Sequence, residues 1–203
     1  MVGAFYQPKL VVDDIDALQS LPATQISNGL AEVIKYGLIR DTDLVHYLEK
    51  NMDALRSYDP SALMHIVQQS VQHKGAVVAQ DEREAGVRMT LNYGHTLGHG
   101  IETVCGLPHG LAIAVGMNAA GILAVEKGLM KKSEWDRQNV LLKAAGLPLT
   151  AKGDADAIME KVRQDKKRTE GKLQMVLLES IGRCCIQQVT EQDAKDALEQ
   201  VLK

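Results

Sequence analysis

The stretch over residues 111–125, LAIAVGMNAAGILAV, is almost entirely apolar and directly follows His109-Gly110. An apolar run of this length predicts a helix that is buried on most of its faces. Helical spacing of apolar residues recurs on both sides of this run. Aromatic residues make up only 3% of the chain, so the core must be built from Leu, Val, Ile, Ala and Met, a composition that suits helix-on-helix packing.

Apolar spacing and capping residues predict the other helices. The first begins after Leu21-Pro22, with Thr24 and Ser27 as candidate caps, and the third begins at Pro60-Ser61. The apolar stripe of the third helix consists of Leu63, Ile66, Val67, Val71 and Val78. Further helices are expected over Leu44–Leu55, Gly94–Val104 and Ser133–Ala145, after Asp154, and after Thr190.

Near the C-terminus the apolar period changes from helical to two. Leu173–Leu178 and Cys184–Val189 flank the turn sequence SIGR over residues 180–183, a pattern typical of a β-hairpin. No internal repeat and no linker divides the chain. The sequence therefore predicts a mainly α-helical, bundle-like single domain over residues 1–203 with a small C-terminal β-hairpin.

Composition excludes several classes of function. Hydrophobic residues at 45% and charged residues at 24% exclude a disordered chain. A net charge of -3 excludes generic electrostatic binding to nucleic acid or to anionic membranes. No apolar run is expected to span a membrane, and no signal peptide opens the chain. The three cysteines, Cys105, Cys184 and Cys185, cannot form a disulfide framework, which favours a reducing, cytoplasmic location.

Three of the six histidines form a compact block in the sequence. His95 and His99 are four residues apart and share one helix face, and His109 opens the next helix. Two histidines at this spacing and a third on a neighbouring helix can bind one divalent metal. Without a Glu between the first two the pattern is weak, so ordinary surface histidines remain the alternative.

Charged residues elsewhere offer a second set of candidates. Glu32 and Lys35 lie three residues apart on an otherwise apolar helix, either as a surface ion pair or as a buried carboxylate that needs a partner or a metal. Glu84, Arg88 and Asn92 follow at four-residue intervals. With Lys74 upstream, these residues form either a cradle for carboxylate and phosphate oxygens or a solvated charged segment.

Six sequence strings resemble 3-dehydroquinate synthase in order and spacing. They are Ala4–Lys9 (AFYQPK), Gly29–Gly37 (GLAEVIKYG), Asp81–Glu84 (DERE), Leu91–Glu102 (LNYGHTLGHGIE), His109-Gly110 with Gly116-Met117, and Asp165–Lys167 (DKK). The likeness covers only the C-terminal half of that enzyme. The family's N-terminal α/β domain carries a nicotinamide site, and no G-x-G-x-x-G motif follows a strand here. We therefore expect an isolated C-terminal domain whose N-terminal NAD-binding domain is absent.

The resemblance implies a definite activity. The family is a lyase that converts 3-deoxy-D-arabino-heptulosonate 7-phosphate to 3-dehydroquinate and phosphate in the shikimate pathway of aromatic amino acid biosynthesis. It uses NAD and a divalent metal, Zn²⁺ or Co²⁺. The resemblance implies a small sugar-acid phosphate as substrate, a homodimer and a cytoplasmic location, and a chain of this half alone is expected to be inactive. A related sugar-phosphate cyclase and a non-catalytic helical interaction domain remain the alternatives.

The resemblance also implies roles for individual residues. The metal ligands implied are Glu32, His95 and His109, and the residues that transfer protons are Glu84 and His99. Substrate oxygens are bound by Lys35, Lys74, Arg88, Asn92 and Lys166, with Lys167 as the alternative to Lys166. The cofactor is contacted by Ala17, Leu18, Gln19 and Ser20. The chain departs from the family pattern at Leu111, where Glu is common, and at Thr24-Gln25, where Arg-Glu is common, and these departures bear on the hydrogen bonds that orient the metal site.

Overall fold

A computed structural model describes residues 9–81, 86–165 and 172–203 of the protein, Asp165 by its backbone alone. The described residues form helices and one hairpin, so the predicted fold class is confirmed. The α-helices are α1 (Ala23–Arg40), α2 (Thr42–Arg56), α3 (Pro60–Gln80), α4 (His95–Cys105), α5 (His109–Glu126), α6 (Lys132–Ala144), α7 (Ala155–Asp165) and α8 (Glu191–Glu199). The strands are β1 (Lys172–Ser180) and β2 (Arg183–Thr190), and short 3-10 helices cover Ile15–Ser20 and Val87–Asn92.

Helix α5 is the centre of the fold, as its apolar sequence predicts. It packs against α1, α4, α6, α8 and β1, and most of its residues are buried. The approach of α4 to α5 is close because glycines face each other. A Cβ atom on Gly116 would lie only 2.1 Å from the carbonyl oxygen of Gly94. The two helices pack antiparallel, with Gly94 against Met117 and Gly98 against Ile113. This close packing allows the rings of His95 and His109 to approach to 5.4 Å between centroids.

The expectation that no apolar run is long enough to span a membrane is wrong for α5. Helix His109–Glu126 is long enough and apolar enough to cross a membrane, by length and composition only. However, 72% of it is buried inside the protein. That burial is the behaviour of a core helix, whose apolar surface is covered by its neighbours.

The C-terminal hairpin forms at the predicted place. β1 and β2 pair antiparallel from Lys172 opposite Thr190 to Ser180 opposite Arg183, with a bulge next to the turn. Gly182 adopts a left-handed φ of 84° in the turn, a conformation that glycine accepts without strain. Its N–H donates to the carbonyl of Leu38 at 2.8 Å, so the turn is anchored on the end of α1.

Two expectations about helix starts and faces are wrong. Helix α1 follows Pro22, which provides no side-chain cap, so Thr24 and Ser27 lie within the helix and do not cap it. On α3, Val71 is 50% exposed and does not belong to a buried stripe. The buried residues of α3 are Ala62, Leu63, Ile66 and Val77, and at 3.6 residues per turn Val71 lies on a different face of the helix, which the core does not cover.

The predicted caps further along the chain are confirmed. Asp154 accepts a hydrogen bond from the N–H of Ala157 at 2.8 Å at the start of α7. Thr190 and Asp193 form a reciprocal capping box at the start of α8.

Candidate metal centre

Three side chains from three helices meet at one point. Glu32 lies in the middle of α1, while His95 and His109 are the first residues of α4 and α5. Glu32 Oε1 is 3.3 Å from His95 Nε2 and 3.7 Å from His109 Nε2. One ligand atom from each residue lies within 4.8 Å of the other two. Two imidazoles and one carboxylate at this separation match a catalytic zinc ligand set.

The carboxylate at the centre has one satisfied and one unsatisfied oxygen. Glu32 Oε2 accepts a hydrogen bond from Lys35 Nζ at 2.5 Å. Glu32 Oε1 is buried and has no hydrogen-bond partner among the described residues. An unsatisfied buried carboxylate oxygen is costly in free energy, and a cation between it and the two imidazoles would remove that cost. The arrangement therefore fits a divalent metal.

Hydrogen bonds at the far side of each imidazole determine which nitrogen faces Glu32. His95 Nδ1 is 3.0 Å from the carbonyl oxygen of Tyr93, and His109 Nδ1 is 2.9 Å from Glu102 Oε2. A carbonyl or carboxylate oxygen can only accept, so each Nδ1 carries a hydrogen, and in the neutral form of each ring Nε2 presents a lone pair. The lone pairs point toward Glu32 Oε1, which is the arrangement that metal ligands require.

The charges around Glu32 keep it ionised. Burial by itself raises the pKa of Glu32, but interactions with His95 and Lys35 outweigh burial and lower the pKa to about 2. Lys35 is 3% exposed. Burial lowers the pKa of Lys35, the Glu32 carboxylate opposes that effect, and the positive charge of Lys74 on α3 adds to the lowering. Lys74 is thus close enough to Lys35 for the two charges to interact.

His99 lies beside the cluster, one turn after His95 on α4. It is exposed, and its ring centroid is 5.4 Å from that of His95 and 5.9 Å from that of His109. Helical spacing alone would pair His95 with His99, whereas the structure joins His95 to Glu32 and His109. His99 instead forms a second potential ligand group with Glu102 and His109.

Arg88 and Asn92 lie on the 3-10 helix that leads into α4. This short helix packs against α1 and α3, which carry Lys35 and Lys74. Asp81 Oδ2 accepts from the backbone N–H groups of Gly86 at 2.7 Å and Arg88 at 3.0 Å, and so fixes the start of the segment. Of the other predicted site residues, Glu84, Lys166 and Lys167 lie outside the described residues.

The residues predicted to contact the cofactor lie on the first 3-10 helix, which packs on α3. Ala17, Gln19 and Ser20 are exposed, and Leu18 is partly buried against the core. None of them is part of the Glu32, His95 and His109 cluster.

Glu102 is a site residue that the sequence did not reveal by itself. It lies on α4 within the string LNYGHTLGHGIE, and its carboxylate binds His109. Its place three residues after His99 put it on the same helix face, which was the available signal.

Comparison with known proteins identifies the relatives of this domain. A family model described as 3-dehydroquinate synthase C-terminal matches residues 29–168. The 3-dehydroquinate synthase of Nostoc punctiforme is 43% identical over 210 residues, covering 100% of this chain and 57% of that protein. That of Methylococcus capsulatus is 46% identical over 187 residues, covering 90% of this chain and 52% of that protein. The chain thus spans little more than half the length of these relatives.

Solved structures share the same architecture. A 2-deoxy-scyllo-inosose synthase complexed with carbaglucose-6-phosphate, NAD⁺ and Co²⁺ matches with a TM-score of 0.86 and 30% identity, over 100% of this chain and 59% of that one. A 2-epi-5-epi-valiolone synthase from Streptomyces hygroscopicus subsp. jinggangensis with NAD⁺ and Zn²⁺ bound matches with a TM-score of 0.83 and 26% identity, over 93% of this chain and 54% of that one.

The fold of this chain is the fold of slightly more than half of each of these two cyclases. The chain itself belongs to the 3-dehydroquinate synthase family and matches its C-terminal part.

Proposed function

We propose that this chain is the metal- and substrate-binding part of a 3-dehydroquinate synthase, which converts 3-deoxy-D-arabino-heptulosonate 7-phosphate to 3-dehydroquinate and phosphate. The observation that carries the proposal is the convergence of Glu32, His95 and His109 around an unsatisfied carboxylate oxygen. Relatives named 3-dehydroquinate synthase are 43% and 46% identical, which favours this substrate over those of the solved cyclases at 26% and 30%.

Glu32, His95 and His109 would hold the metal, Zn²⁺ or Co²⁺, through one oxygen and two Nε2 atoms. When bound, the metal supplies a Lewis acid that polarises a substrate oxygen. NAD, bound in the complete enzyme, supplies a hydride acceptor that is regenerated within the cycle. The chain's own residues bind and orient the substrate and move protons.

The cationic residues suit a substrate that carries a carboxylate and a phosphate. Lys35, Lys74 and Arg88 supply positive charge, and the Asn92 amide can donate to an oxygen. The surroundings of Lys35 hold its ammonium group in place because it is buried and paired with Glu32. Lys166 completes the proposed set from outside the described residues. Fixed donors of this kind hold one substrate geometry through successive steps.

Two groups are proposed to move protons. His99 is exposed beside the metal ligands, so its imidazole can reach a substrate bound there. Glu84 is the second proposed proton-transfer group, and Ala17–Ser20 remain the proposed contact with NAD. We also propose that the enzyme acts in the shikimate pathway, in the cytoplasm, as a homodimer.

Metal analysis of purified chain with substitution at Glu32 tests the proposal. We expect about one Zn²⁺ or Co²⁺ per chain in the unchanged protein and little in Glu32→Gln, since the amide removes the anionic ligand while keeping its shape. Glu199→Ala, on the exposed end of α8, is the matched control and should bind like the unchanged protein. Unaltered metal content in Glu32→Gln would contradict the proposed ligands and favour the group of His99, Glu102 and His109.

Activity provides a second measurement. The 203 residues alone, supplied with metal, NAD and substrate, should release no phosphate at steady state, because the active relatives are nearly twice as long. Sustained phosphate release by this chain alone would show that it needs no further domain. Assays of the complete enzyme with other sugar phosphates distinguish a 3-dehydroquinate synthase from a related cyclase.

A further inference from the structure

We propose that Asn28 is a positioning residue that holds His109 beside Glu32 through the backbone of Gly110. The inference rests on the proposed metal site and adds a residue to which no role was assigned above. Asn28 lies on α1 and is half-buried, and its side-chain hydrogen bonds join it to Gln25 and Gly110.

The contact is a short hydrogen bond between two helices. Asn28 Oδ1 accepts from the N–H of Gly110 at 2.6 Å. The N–H groups in the first turn of a helix have no partner within the helix. Pro108 precedes α5 and provides no side-chain cap, so the acceptor comes from α1. Asn28 thus caps the start of α5 from a neighbouring helix.

The position of Asn28 along α1 relates this cap to the metal site. Asn28 precedes Glu32 by four residues, so the two side chains lie one above the other on the same helix face. Gly110 directly follows His109. The hydrogen bond therefore sets the distance between the α5 backbone at His109 and the α1 face that carries Glu32.

Gly110 permits the close approach that the bond needs. A Cβ atom at this position would lie 2.0 Å from the backbone carbonyl oxygen of Asn28. Any other residue would push the two helices apart and lengthen the bond. The pair formed by Asn28 and Gly110 thus explains how α5 can start so near α1.

A further hydrogen bond orients the Asn28 amide. Its Nδ2 donates to Gln25 Oε1 at 3.3 Å, which leaves Oδ1 directed at Gly110. Gln25 stands at a position where the chain departs from the family pattern. Its amide still provides the oxygen that this bond requires, so the departure does not remove the support for Asn28.

Hydrogen bonds restrain the position of His109 more than they restrain that of His95. The His109 side chain is 41% exposed, whereas that of His95 is 12% exposed, so packing restrains His109 less. Its position relies on the Asn28 bond to its neighbour and on the Glu102 bond to its ring. Loss of the first would let the start of α5 move away from Glu32.

The test compares the metal affinity of Asn28 variants in the full 203-residue chain. Zn²⁺ and Co²⁺ dissociation constants are measured by competition with a chelator, and the visible spectrum of bound Co²⁺ reports its coordination geometry. Asn28→Ala should weaken binding roughly 10- to 100-fold and alter the Co²⁺ spectrum, as loss of an outer hydrogen bond typically does. Asn28→Ser, whose hydroxyl is too short to reach Gly110, should behave likewise and serves if the alanine variant folds poorly.

Two further variants separate positioning from general stability. Asn28→Asp keeps an accepting oxygen, and a negative charge is favourable at the start of a helix, so it should retain nearly the original affinity and spectrum. Asn51→Ala on α2 removes an asparagine bond to the carbonyl of Tyr47 and is the matched control, expected to leave both unchanged. Thermal unfolding without metal measures stability separately.

The outcomes distinguish this inference from the proposed function. If the unchanged chain binds neither Zn²⁺ nor Co²⁺, both proposals are overturned. If it binds metal and Asn28→Ala only lowers the melting temperature, or Asn28→Asp loses as much affinity as Asn28→Ala, the positioning role is overturned and the metal site stands. Weakened binding in the alanine and serine variants with recovery in the aspartate variant supports it.

Discussion

At the scale of single residues, the candidate site depends on hydrogen bonds to atoms that are not ligands. Tyr93 and Glu102 each bind an Nδ1 atom, and this determines that Nε2 of His95 and of His109 faces Glu32. In such a pair, the carboxylate of Glu102 orients the imidazole of His109 and increases its basicity as a metal ligand. Tyr93 acts through its backbone carbonyl, so only the Glu102 interaction can be removed by a side-chain substitution.

Substitution of Glu102 should therefore weaken metal binding. We expect Glu102→Ala to reduce Zn²⁺ affinity roughly 10- to 100-fold and Glu102→Gln to reduce it less, because the amide oxygen can still accept from His109 Nδ1. Chelator competition measures the affinity, and Glu160→Ala on the exposed face of α7 is the control. Equal affinity in Glu102→Ala and the unchanged chain would show that the ring needs no such support.

At the scale of helices and strands, the site is a consequence of how closely α4 and α5 approach each other. Gly94, Gly98 and Gly116 lie at their crossing, where a Cβ on either of the last two would meet the other helix at less than van der Waals distance. This close packing allows the His95 side chain on α4 to reach that of His109 on α5, with 5.4 Å between the ring centroids. The metal centre therefore depends on small residues that bind nothing themselves.

Adding a methyl group at this crossing should destabilise the fold. Gly116→Ala places a Cβ 2.1 Å from the carbonyl oxygen of Gly94, and we expect a loss of about 1–3 kcal/mol or more in the free energy of unfolding. Gly75→Ala is the control, since nothing lies within 4 Å of its added Cβ. It should gain about 0.5–1 kcal/mol by stiffening α3. Urea unfolding measures both, and equal stability of the two variants would contradict the close contact.

At the scale of the whole molecule, polar groups tie the site to distant helices. The Tyr93 hydroxyl donates to Gln138 Oε1 at 2.7 Å inside the core, while the Tyr93 carbonyl binds His95. Burial raises the pKa of Tyr93, so its hydroxyl remains a donor. On the surface, Arg137 on α6 binds Glu49 on α2 through two bonds of 2.6 and 2.8 Å. These contacts join parts of the chain that are far apart in sequence.

The pair of Glu49 and Arg137 should make global stability depend on pH. Hydrogen bonding to Arg137 is the main cause that lowers the pKa of Glu49 below its ordinary value of 4.5. A lowered pKa in the folded state stabilises the fold above that ordinary value, and the contribution is lost as the pH falls through the folded-state pKa. We expect Glu49→Gln to cost about 0.2–1 kcal/mol at pH 7 and much less at pH 3, as measured by urea unfolding. A cost that is the same at both pH values would rule out an ionic contribution.

The family strings supplied more of the candidate site than spacing did. Spacing alone indicated His95 with His99, because residues four apart share a helix face. It marked Glu32 only as a carboxylate that could need a partner or a metal and could not connect it with the histidines, since nothing local to α1 shows which later helix it will meet. The structure brings Glu32, His95 and His109 together, whereas the roles proposed for Glu84 and Lys166 remain predictions on residues outside the described part of the chain.

The sequence by itself determined the helices, the hairpin and the central place of α5, because apolar period, caps and turns are properties of neighbouring residues. It did not show that Val71 on α3 is exposed, because exposure depends on which face of a helix its neighbours cover. Only the tertiary structure decided that Asn28, Glu32 and Glu102 would surround His109. Those contacts arise from the packing of α1 and α4 against α5, and packing joins residues whose separation along the chain carries no local signal.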